Sequence, residues 1–78
     1  MDVVKTYNEI FMRVFGLEEK DITPDLCMDN VEKWDSLAHM NLIGEIEEAF
    51  DVMLSAEDML KFTVYSNGLK VLKELGVE

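Results

Sequence analysis

The sequence predicts an all-α fold: a small four-helix bundle with a long loop between helices 1 and 2 and a short third helix. Three observations carry that expectation. Apolar residues recur at three- and four-residue spacing in four segments. Residues that start and stop helices, among them Asp35-Ser36, Ser55, Gly16 and Gly76, bracket those segments. Apolar content is 49%, too high for an acidic disordered chain and enough for a small core. The 78 residues read as a single domain over 1–78, with no internal repeat or low-complexity tract.

The spacing predicts a first helix over 2–15. Val3, Tyr7, Ile10, Phe11 and Val14 form one face, which Val4 and Phe15 widen. Asp2 stands near the positive end of the helix dipole, and Gly16 is a C-terminal stop. Residues 17–34 then form a connection with the chain's one proline, Pro24, and scattered acids, as suits a surface loop. Leu26, Met28, Val31 and Trp34 are expected to pin it to the core. A structureless loop of that length is unusual in a compact domain, and such loops are often functional.

A second helix runs from Ser36 to Phe50, with Leu37, Met40, Ile43 (beside Leu42), Ile46 and Phe50 as its apolar stripe. Glu45, Glu47, Glu48 and Asp51 lie elsewhere around it. Acids at a helix C-terminus oppose the dipole, each at about 0.3–1 kcal/mol. No base lies three or four residues away to offset them. A local violation of this kind is expected where function outweighs helix stability. Ser55-Ala56-Glu57-Asp58 reads as a capping box that opens a brief third helix through Met59, Leu60 and Phe62. Thr63 or Ser66 is the expected cap of a fourth helix. There Leu69, Leu72 and Leu75, with Val71, form the buried stripe, and Gly76 marks the end.

Charge excludes several functions. Seventeen acids against seven bases give a net charge of −10. That argues against nucleic acid and against anionic membrane surfaces, and it favours basic protein partners. A single cysteine, Cys27, permits no intrachain disulfide, which fits a reducing, cytoplasmic setting. No segment reads as a signal peptide or a membrane span. No zinc-ligand spacing or calcium loop occurs, so no metal is expected. Ser36 and the one histidine, His39, are three residues apart, which invites a nucleophile–base pair. With no evident oxyanion hole and no orienting acid, the chain is not expected to be an enzyme.

Ser36 remains the residue with chemistry to offer. The first N–H groups of a helix are unpaired and the dipole's positive end faces outward. A serine there suits a phosphate-linked group. The plainer alternative is that Asp35-Ser36 does nothing but cap.

Trp34-Asp35-Ser36-Leu37, followed by Leu42-Ile43 and then Ile46-Glu47-Glu48-Ala49-Phe50-Asp51-Val52, resembles an acyl carrier protein. The resemblance extends from the Val3/Tyr7/Ile10 helix to Leu72. It implies that Ser36 carries 4′-phosphopantetheine through a phosphodiester, and that Asp35 and Leu37 help dock the phosphopantetheinyl transferase. It further implies acyl cargo held as thioesters on the arm, as in fatty acid biosynthesis, and no chemistry by the chain itself. Glu45, Glu47, Glu48, Asp51 and Met40 are then candidates for meeting basic docking patches on acyl-handling enzymes, with the carrier a monomer. Met40, Ile43, Phe50, Leu54, Met59, Phe62 and Val71 are candidates to shelter an acyl chain, or are ordinary core. Ala38 and Asn41 stand where fatty-acid-type members often have acids, and Thr63-Val64-Tyr65-Ser66 is bulkier than the usual small residues. These departures put a specialised stand-alone member beside a housekeeping fatty-acid carrier as equal expectations. An aminoacyl or peptidyl carrier, or an acidic helical interaction module whose serine is never modified, are the alternatives.

Overall fold

The structure is a computed structural model that describes residues 2–77. Four α-helices form the bundle: α1 (Val3–Phe15), α2 (Ser36–Phe50), α3 (Ala56–Lys61) and α4 (Tyr65–Glu74). No β-strand occurs among the described residues; an isolated antiparallel bridge joins Cys27 to Val64.

Local signals set the helix ends. The Asp2 carboxylate accepts the Lys5 N–H at 3.1 Å, and Gly16 closes α1 in the left-handed region at φ 65°. The Ser55 hydroxyl accepts the Asp58 N–H at 3.1 Å, which starts α3 as its cap signal requires. The cap of α4 differs from expectation: it is Val64, and neither Thr63 nor Ser66 caps. The reason is long-range. Leu26 in the loop supplies its carbonyl to the Tyr65 N–H at 2.9 Å, so backbone from another segment serves the helix start.

The core draws Tyr7, Ile10, Phe11 and Phe15 from α1, Leu42, Ile43, Ile46 and Phe50 from α2, and Tyr65, Val71 and Leu72 from α4. Leu26 and Trp34 descend from the long loop, as expected, while Met28 and Val31 are half-buried. That loop is not structureless: single 3₁₀ turns occupy Glu19–Asp21 and Met28–Asn30. Aromatic rings fill the centre. Tyr7 and Phe11 lie 4.7 Å apart, and Phe15 stacks on Trp34 at 4.5 Å.

Four apolar residues expected inside are on the surface. Leu37 is 75% and Met40 58% exposed. At 3.6 residues per turn they lie about 160° and about 100° round α2 from the mean direction of its buried residues. Val4 sits in the first turn of α1, on an open surface shared with Leu69 and Lys73. Leu75 follows the last residue of α4, where the chain turns through Gly76 at φ 82°.

Candidate functional site at the start of helix α2

The end of the long loop is held by Trp34, only 3% exposed. Its indole stacks on Phe15 and meets Phe11 edge-on at 5.5 Å. Asp35 follows in extended conformation and does the capping. Its Oδ1 accepts the Ala38 N–H at 2.8 Å, and its carbonyl accepts the His39 N–H at 2.9 Å. Ser36 is thereby released from the cap. It is the first residue of α2 and is exposed. The N–H groups of Ser36 and Leu37, in the first turn, have no preceding helical carbonyl to bond.

A link absent from sequence reasoning lies one turn further on. Trp34 Nε1–H donates to His39 Nδ1 at 3.1 Å, and His39 Nε2 is 2.9 Å from the carbonyl of Met59 in α3. An indole N–H only donates, so Nδ1 accepts and the proton sits on Nε2, which donates to Met59. His39, read from sequence as a possible partner for Ser36, therefore has both ring nitrogens engaged elsewhere. The only signal available in the sequence was the five-residue separation of a tryptophan and a histidine.

The acids of α2 divide into two pairs. Glu45 meets Arg13 of α1 at 2.6 Å, so a base absent from the local sequence is brought in by the fold. Glu47 Oε2 accepts the Leu54 N–H at 2.9 Å. Glu48 and Asp51 are exposed. Asp51 ends α2 in the left-handed region at φ 53°, where glycine is usual, and its N–H bonds the Glu47 carbonyl. Of the residues considered for sheltering a chain, Ile43, Phe50, Leu54, Phe62 and Val71 are buried and Met59 is half-buried. Met40 is on the outer surface and lines no interior space. Among the described residues no group of three or more His, Cys, Asp or Glu side chains is placed to hold a metal ion.

An exposed serine at a helix start, with a neighbour that has taken over capping, fits a phosphodiester: the hydroxyl is free to react and unpaired N–H groups face the anion. Fold and site together define a phosphopantetheine-bearing carrier domain. The family described as "Phosphopantetheine attachment site" matches residues 8–67, which include Asp35, Ser36 and Leu37. The chain is 34% identical over 61 residues to an acyl carrier protein of Streptococcus pneumoniae, covering 78% of this chain and 81% of the relative. It is 33% identical over 60 residues to one from Streptococcus pyogenes, covering 77% and 80%. No solved structure gives a significant match. The chain belongs to the phosphopantetheine-attachment family, among its acyl carrier proteins. Its cofactor is covalent 4′-phosphopantetheine, whose terminal thiol supplies the thioester linkage, and members of this family carry cargo without catalysing its conversion.

Proposed function

We propose that Ser36 is the attachment residue, and that this one-domain chain acts as a monomeric cytoplasmic carrier presenting acyl thioesters to successive enzymes. The observation that carries the assignment is the exposed Ser36 at the start of α2, its hydroxyl left free because Asp35 caps the helix. A phosphopantetheinyl transferase would join the phosphorus of the coenzyme A phosphopantetheine to Ser36 Oγ. The serine proton leaves and adenosine 3′,5′-bisphosphate departs. Asp35 and the exposed Leu37 flank the reacting hydroxyl and suit contact with that enzyme.

Docking of acyl-handling enzymes falls to the outer face of α2. Met40 offers exposed apolar surface there, and Glu48 and Asp51 offer exposed charge. Glu45 and Glu47 add to the negative field while serving internal partners. Complementary charge favours association rate and orientation more than lasting affinity, which suits a carrier that must leave each partner. No helix among the described residues is long and apolar enough to cross a membrane.

The test is intact mass spectrometry after incubation with coenzyme A and a broad-specificity transferase. One phosphopantetheine mass should be added to the protein and none to Ser36→Ala. Addition to the alanine variant would overturn the assignment.

A further inference from the structure

We infer that His39 is a specificity-determining residue that closes the seam between α2 and α3, so that this carrier takes cargo short or polar enough to remain outside the bundle. The inference rests on the assignment of Ser36 as the attachment residue.

His39 follows Ser36 by three residues, which makes the two side chains neighbours on the surface of α2. An arm that leaves Ser36 and turns inward between α2 and α3 therefore meets the imidazole first. The ring is tied on both sides, to Trp34 Nε1 at 3.1 Å and to the Met59 carbonyl at 2.9 Å. Trp34 in turn is locked against Phe15 and Phe11. The latch thus joins the attachment loop, α2 and α3.

α3 has six residues, too few to be stable alone, so its position depends on what it packs against. Met59 lies in its last turn, where its carbonyl accepts the Phe62 N–H at 3.3 Å and offers its second lone pair to His39. The side chains three residues on from each end of the latch, Leu42 and Phe62, belong to the core. Phe62, Leu42 and Ile46 are fully buried, and Phe62 lies 6.3 Å from the Tyr7 ring. An apolar chain entering here has to displace α3 and part His39 from Met59. That leaves the part-buried His39 Nε2–H without its acceptor and facing an apolar chain, which is costly. Cargo that stays in water leaves the latch intact.

The experiment loads wild type, His39→Val and His39→Gln with acetyl- or octanoyl-phosphopantetheine from the corresponding coenzyme A thioesters. Intact mass confirms loading first. No added mass would overturn the Ser36 assignment and the inference with it. A loaded protein tests the latch separately. Two readouts follow: nuclear Overhauser contacts from octanoyl methylenes to Leu42, Ile43 and Ile46, and the melting difference between octanoyl and acetyl forms.

Wild type and His39→Gln, which keeps a donor and an acceptor, should show no such contacts and melting points within about 2 °C of each other. His39→Val should show the contacts, with the octanoyl form melting about 5 °C or more above the acetyl form. Octanoyl contacts to the core in wild type would overturn the inference, as would a folded His39→Val protein that keeps the chain outside. Should His39→Val fail to fold, loaded wild type decides. An octanoyl chain outside, with His39 still protonated on Nε2 by ¹⁵N shifts, supports the latch; a chain inside overturns it.

Discussion

Glu47 Oε2 accepts a hydrogen bond from the backbone N–H of Leu54, at 2.9 Å, across the turn that follows α2. Its neighbour Glu48 is exposed. Adjacent acids on one helix therefore do different work, one within the fold and one on its surface.

Charge reversal should separate them. Glu47→Lys removes the acceptor of a part-buried N–H and should cost about 1–3 kcal/mol, seen as a lower thermal midpoint. Glu48→Lys should stay within about 0.5 kcal/mol of wild type. It should instead slow modification of Ser36 at low salt, with the difference shrinking as salt rises. Equal melts for the two variants would remove the role given to Glu47. A wild-type modification rate for Glu48→Lys at low salt would move docking onto Leu37 and Met40.

Gly68 is buried in α4 beneath Tyr7. A Cβ there would overlap the Tyr7 hydroxyl and approach Phe62 Cδ1 to 2.5 Å. Alanine normally strengthens a helix by about 1 kcal/mol over glycine. Here Gly68→Ala should destabilise, by about 1–3 kcal/mol, because both rings are fully buried and cannot retreat. A denaturant midpoint equal to or above that of wild type would show that the rings can shift.

Stability should fall in alkali. Tyr7 donates to the Tyr65 carbonyl at 2.7 Å in the core. Burial, and then the neighbouring Tyr65, hold its phenol far above the usual tyrosine value. Tyr65 is also raised by burial, against an opposing hydrogen bond to Asn8. A raised folded value means that the unfolded chain releases its proton first. The stabilising contribution is complete below about pH 10 and is lost as pH climbs above it, at up to about 1.4 kcal/mol per pH unit for Tyr7. Helical circular dichroism and tyrosinate absorbance should change together. Ionisation of both tyrosines near pH 10 in a protein that stays helical would contradict their burial.

Salt should stabilise the fold. A net charge of −10 on 78 residues opposes compaction, and the Arg13–Glu45 pair relieves only one acid of α2. Raising salt from 0.01 to 0.1 M shortens the screening length from about 30 to about 10 Å. The thermal midpoint should rise over that range. A flat or falling midpoint would mean that the acids are too dispersed to repel strongly.

The helices were legible because their signals are local. Asp35 caps a residue three positions on, as Ser55 does, and the Ile43/Ile46/Phe50 periodicity needs no partner to be read. Leu37 and Met40 were misplaced by the same reasoning. Apolar spacing marks a helix, but it does not say how wide a sector the neighbouring elements cover. The motif around Ser36 was legible for a related reason: its residues are consecutive.

Turn periodicity, capping and net charge depend on residues close in the chain or on composition alone, and they are enough to specify an acidic all-helical bundle with a serine at the head of its second helix. What the polar side chains do depends on packing between segments far apart in the chain. Glu45 finds Arg13 across 32 positions, His39 finds Met59 across 20, and Leu26 stands in as the cap partner of α4. Such contacts arise when hydrophobic burial brings distant segments together. Each polar group left inside must then find a partner among whatever that packing supplies.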